Sequence, residues 1–209
     1  MASYKASIGV VITKFLVITT IIAMAIAIPA WAGKGHGPGI SPLSEEEVVE
    51  LTFMREEEKL ARDVYLEMHR LWYATNVFSR IATSEQSHMD TMKKMLDKYG
   101  LYDPALGAEE GEFENDLLQD KYYELITDGS ASYIAGLLVG GFIEELDMID
   151  IQEAIDVTEH LDLINAYLHL LEGSKNHLRA FVSALEAQGH TYVPVIIPQE
   201  YFDAIMMGL

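Results

Sequence analysis

Residues 51–72, LTFMREEEKLARDVYLEMHRLW, carry a helical period with one charge set into it. Leu51, Met54, Ala61, Tyr65, Met68 and Trp72 recur at the three- and four-residue spacing that lines one face of a helix. Glu58 falls on the same series and is its only charge. An ionised carboxylate in an apolar seam is costly unless a partner cancels it, so Glu58 calls for a cation.

The pattern recurs further along the chain. A second helix, over about 76–99, has the series Phe78, Ile81, Glu85, His88, Met92, Met95 and Tyr99, with Gly100 as its stop. Glu85 and His88 are three apart and share a face. A third, over about 131–155, is apolar at Ile134, Leu137, Leu138, Gly141, Met148, Ile151 and Ile155, interrupted by Glu144, Glu145 and Asp147. Its Gly140-Gly141 pair weakens helix propensity and predicts a close backbone approach to a neighbouring helix. A fourth, over about 159–188, has Leu163, Tyr167, Leu170, Ser174, His177, Phe181 and Ala184 on one seam, Thr158 as cap and Gly189 as stop.

Ser44 with Glu47 forms a capping-box signature ahead of the first helix. Residues 101–113 read as a loop and 114–127 as a short crossover helix, closed by a turn at Asp128-Gly129. Residues 190–209 form a tail whose apolar part, Thr191 to Ile197, packs on the bundle, with a short helix after Pro198. The expectation is an all-α, up-down-up-down four-helix bundle with a crossover helix between its second and third members and a C-terminal tail.

Bundle metal sites draw ligands from facing helices at matched depth, commonly one Glu from each of two helices and Glu-x-x-His from each of the other two. Glu58 and Glu144 fit the single acids, and Glu85-Gln86-Ser87-His88 fits one Glu-x-x-His. The fourth helix departs, with Ser174 where Glu is expected ahead of His177. A carboxylate from the third helix restores the count: Asp147, three residues after Glu144, with Glu145 as its rival. The expected ligands are therefore Glu58, Glu85, His88, Glu144, Asp147 and His177. Their four negative charges match two divalent ions, and oxygen and imidazole ligands suit iron or manganese.

Each residue alone has a plainer explanation, such as a core histidine or an internal ion pair of Glu58 with Arg62. The placement of the set on four seams argues for metal. Tyr65 and Tyr167 stand on the seams as hydrogen-bonding partners of ligands or as core filling. Glu56, Glu57, Asp63 and Glu67 read as a solvated face, His69, His160 and His169 as surface groups, His36 as inert, and Met54, Met68, Met92 and Met95 as packing.

The 209-residue chain has no cysteine, which excludes disulfides, thiolate zinc sites, iron–sulfur clusters and cysteine nucleophiles. No haem is expected. Lys5 and Lys14, the apolar run Phe15 to Ile28 and Ala30-Trp31-Ala32 read as a signal peptide over 1–32, exporting the protein; a retained membrane anchor is the alternative. Residues 33–43 read as a Gly/Pro linker and 44–209 as the folded domain. Loss of residues 1–32 removes two lysines and no acid, moving the net charge from −19 to −21. A surface so acidic repels nucleic acid. The partners expected are metal ions and an external electron donor, with a homodimer as the assembly considered.

EKLARDVY (58–65), EQSH (85–88) and EELD (144–147) resemble the helix motifs of rubrerythrins in the ferritin-like superfamily. REEEKLARDVY (55–65), IEELDMIDIQEAI (143–155), GSKNHLRAF (173–181) and TYVPVIIPQEYFDAI (191–205) resemble the uncharacterised ferritin-like family called domain of unknown function 2202, over roughly 44–206. The resemblance implies a ferritin-like fold. Rubrerythrins reduce peroxide at a di-iron centre and receive electrons through a cysteine-ligated iron domain, which this chain lacks. Three functions follow as expectations: a di-iron or di-manganese oxidoreductase acting on peroxide, dioxygen or ferrous iron, with Glu145 as a proton shuttle; a metal-binding protein without turnover; or a structural bundle.

Overall fold

The capping box at Ser44 opens the first helix as expected. The Glu47 backbone N–H donates to Ser44 Oγ at 3.1 Å, and the Ser44 N–H donates to Glu47 Oε2 at 2.7 Å. Such a cap contributes about 1 kcal/mol. The computed structural model describes residues 41–73 and 75–209; the expected leader (1–32) and most of the linker lie outside the described residues.

The described residues form six helices and no strand: α1 Glu45–Leu71, α2 Val77–Tyr99, α3 Asp116–Gly129, α4 Tyr133–Asp156, α5 Leu161–Ala187 and α6 Gln199–Met207. α1 packs along α2 and α4 along α5, while α1 against α4 and α2 against α5 close the bundle. The crossover helix α3 lies against α1 and α4, and α6 rests on α5. The architecture is an all-α helical bundle. Apolar seams meet in a core that includes Leu51, Met54, Tyr65, Met68, Phe78, Met92, Leu137, Ile151, Leu163, Leu170 and Phe181. Burial of each aliphatic side chain there stabilises by roughly 1.5–3 kcal/mol.

Several local expectations are corrected. α3 runs on to Gly129, which is buried and packs so closely on Met68 that a Cβ would meet its sulfur. His160, not Thr158, occupies the N-cap position of α5. The Thr158 hydroxyl donates to Glu47 Oε1 at 2.5 Å, tying the α4–α5 turn to the start of α1, and accepts the His160 N–H. The Gly140-Gly141 pair makes room for rings rather than for a helix backbone: a Cβ on Gly140 would run into Phe181, and one on Gly141 into Tyr192 of the tail.

The largest correction concerns the outer flank of α1. Glu56, Glu57 and Asp63 are buried, not solvated. The α2–α3 loop and the start of α3 cover Glu56 and Asp63, while Glu57 faces Asp150 of α4. Asp63 meets Lys59 at 2.5 Å, Arg62 at 2.6 Å and the Gly111 N–H at 2.9 Å. Glu56 Oε1 accepts the Glu114 N–H at 2.6 Å, and Arg55 pairs with Asp103 of the loop at 2.9 Å. Glu67 alone of the four stays near the surface, paired with Arg70.

Candidate metal centre

The seam charges converge between the four long helices. α2 supplies Glu85 and His88, α1 supplies Glu58, α4 supplies Glu144 and Asp147, and α5 supplies His177, all of them buried. Glu85 sits between two imidazoles, with Oε2 at 2.8 Å from His88 Nδ1 and Oε1 at 2.8 Å from His177 Nδ1. Glu58 Oε2 lies 3.1 Å from His88 Nδ1, and Glu144 Oε2 lies 3.4 Å from His177 Nδ1. Ligand atoms of Glu85, His88 and His177 all lie within 4.8 Å of one another.

Neighbouring side chains hold these groups in place. The Tyr65 hydroxyl donates to Glu144 Oε1 at 2.5 Å. Ser84 Oγ lies 2.8 Å from His177 Nε2, which directs Nδ1 toward the acids. Arg62 turns away from Glu58 to Asp63 and to Gln86, so no ion pair joins Arg62 to Glu58. Gly173 lets α5 approach the His88 ring, which a Cβ there would overlap.

Ser174 explains its own departure from the Glu pattern. Its Oγ contacts Asp147 Oδ2 and sits 3.1 Å from Leu170 O, so a short residue on α5 makes room for an acid from α4. Asp147 in turn feels the charges of Glu58, Glu144 and Glu85. Glu145 points elsewhere. It accepts the Tyr192 hydroxyl at 2.6 Å and the N–H groups of Val195, Ile196 and Ile197 at 2.7–3.1 Å. That buried carboxylate anchors the tail; it lies outside the cluster, and its oxygens are committed to structural bonds rather than free to shuttle protons.

Electrostatics follow from burial opposed by pairing. Burial pushes Glu58, Glu144 and Asp147 upward. Burial also acts on Glu85, but His177 and His88 outweigh it and hold its carboxyl low. Both imidazoles overcome burial through the acids around them: His88 rises to about 12 and His177 to about 10. In the metal-free protein these protons offset part of the carboxylate charge.

The donor set fits hard divalent ions. It offers carboxylate oxygen and imidazole nitrogen and no sulfur. Glu58 Oε1, Glu85 Oε1 and His177 Nδ1 are buried yet make no aligned hydrogen bond, although the last two are at ion-pair distance. Buried polar atoms are normally satisfied, so atoms left without an aligned partner among metal-ligand types match a coordinating role. Tyr167 is buried on the seam, with no ligand contact among its described interactions, and serves as core filling. Sequence reading missed Ser84 and the close approach at Gly173; a glycine in mid-helix beside the Ser174 departure was the available signal for the latter.

Residues 47–208 match the profile of the family described as Uncharacterized protein domain (DUF2202). The chain belongs to this family. The DUF2202 chain is 42% identical to the uncharacterized protein MJ0754 of Methanocaldococcus jannaschii over 165 residues, 79% of this chain and 89% of that protein. The crystal structure of hypothetical protein MJ0754 superposes with a TM-score of 0.78 at 41% identity, covering 82% of this chain and 97% of that one.

Proposed function

We propose that the protein is a ferritin-like, rubrerythrin-like oxidoreductase. It holds two iron or manganese ions through Glu58, Glu85, His88, Glu144, Asp147 and His177 and acts on peroxide, dioxygen or ferrous iron. The observation that carries this reading is Glu85 set between His88 and His177, one oxygen toward each at 2.8 Å, with buried acids on both sides and no Lys or Arg among these contacts. Such a metal pair supplies Lewis acidity and reversible one-electron chemistry.

The chain's own residues do the rest. Tyr65 orients Glu144, Ser84 orients His177 and Ser174 orients Asp147. Outer partners of this kind commonly change metal affinity 10–100-fold. A groove of about 610 Å³ between the α2 start and the α5 end, lined by Asn76, Arg80, Ile81, Asn176 and Ala180, reaches His177. It gives a small polar substrate a way in, while the buried remainder of the cluster excludes bulk water.

The test is turnover by metal-loaded protein. Metal-dependent loss of peroxide or oxidation of ferrous iron, reduced at least 100-fold in Glu85→Gln, supports the reading; equal rates in both proteins overturn it. We also propose export through residues 1–32. Amino-terminal sequencing of secreted protein checks this, with a start near Gly33 expected and retention of residues 1–32 contradicting it. No helix of the described residues is long and apolar enough to cross a membrane.

A further inference from the structure

Glu57 is one residue from Glu58 but faces another way. It is only 3% exposed, and neither of its carboxylate oxygens has a hydrogen-bond partner. Across the α1–α4 contact the charged group that acts on it most is Asp150, close enough for a hydrogen bond if one of the two carried a proton. Two ionised carboxylates can only accept, so this contact needs something positive between them.

Among the described residues, the charges that act most strongly on this contact are all negative. After Asp150, the charges that act on Glu57 are Asp147 and Glu58; those that act on Glu50 are Asp150, Glu153 and Glu46. The acids form a row graded by burial. Glu46 and Glu153 are exposed, Glu50 and Asp150 are half-buried, Glu57 is buried, and Asp147 and Glu58 of the candidate centre follow. Glu46, Glu50 and Glu57 are spaced by four and seven on one face of α1, and Asp147, Asp150 and Glu153 step by three along α4.

We infer that Glu57 and Asp150 form a second, outer site for a divalent cation, and that the row from Glu46 and Glu153 inward is the route by which metal ions reach the buried centre. A single shared proton is the rival way to satisfy the Glu57–Asp150 contact, and Mn²⁺ titration separates the two. Carboxylates without imidazole favour a hard, readily exchanged ion such as Mn²⁺ or Fe²⁺. The outer site stands independently of the proposed activity; its role as a route rests on the reading of the inner centre.

The experiment is Mn²⁺ titration of the chelator-stripped protein, with free Mn²⁺ read by electron paramagnetic resonance and uptake followed by stopped flow. Wild type should bind three ions per chain, the third more weakly. Glu57→Gln and Asp150→Asn should bind two and fill the inner pair at least tenfold more slowly. Glu85→Gln should lose the inner pair and keep the outer ion. Should Glu57→Gln bind and fill like wild type, the inference is overturned; a higher Tm in that variant would then show that the two acids share a proton. Two ions in wild type, both lost in Glu85→Gln, would reject the outer site and leave the inner centre intact. One ion, lost in Glu57→Gln but kept in Glu85→Gln, would uphold the outer site and reject the inner centre.

Discussion

α1 buries acids on two flanks, and the flanks are built differently. Toward α3, Asp63 meets Lys59, Arg62 and a backbone N–H, Glu56 accepts a backbone N–H, and Arg55 meets Asp103 of the loop. Toward α2 and α4, Glu57 has no hydrogen-bond partner and Glu58 has only His88. These four acids, Glu56, Glu57, Glu58 and Asp63, lie within eight residues of one helix and are at most 3% exposed, so burial alone does not separate them. What separates them is whether the chain supplies its own donors. The α3 flank is closed within the protein and is structural; the inner flank is short of donors of its own, which in the proposed reading metal ions make good.

The two flanks should respond oppositely to substitution. The largest effect is expected from Glu85→Gln, which should weaken metal binding at the centre more than 100-fold in a metal titration while the metal-free protein stays folded by circular dichroism. Next is Asp63→Ala, which leaves Lys59 buried without its counter-ion, with only the Glu109 carbonyl to accept from it. Breaking such a pair destabilises by about 3–5 kcal/mol, read as a lower urea midpoint, with metal stoichiometry unchanged. If Asp63→Ala instead released metal without loss of stability, the division between the flanks would be wrong. Smaller again, Tyr65→Phe and Ser174→Ala should lower metal affinity about 10–100-fold and change stability by about 1 kcal/mol. Retention of full affinity in both would remove the orienting roles given to them.

The mildest effect is on pH dependence. Burial first, and then neighbouring acids, push Glu50 up to about 7; burial likewise carries Asp150 up to about 6. A carboxyl with a raised folded-state pKa stabilises fully below its ordinary value of about 4 and loses that contribution as pH rises through the folded value. The metal-free protein should therefore show a falling Tm between pH 5 and about 7.5, and added Mn²⁺ should flatten the slope. A Tm that rises over that interval would show that these acids are not held in their protonated form.

Much of this was legible because charges on apolar stripes are conspicuous. The four long helices followed from seam periodicity, and the six clustered residues from the charges that break it. The α3 flank was not legible, because Glu56 and Asp63 look solvated until the loop around Gly111 and the start of α3 fold over them. Glu145 and Asp147 both lie near the buried side of α4. Only the tail, whose three successive N–H groups meet Glu145, shows which of them is committed elsewhere. Ser174 looked like a lost ligand in one dimension and is a place for Asp147 in three.

The most direct test of the central claim is the metal content of protein purified without chelator. Two tightly held iron or manganese ions per chain, both absent from Glu85→Gln, are predicted, the weaker outer ion being lost during purification. Protein that carries no metal, and whose Tm does not move when iron or manganese is added, would contradict it.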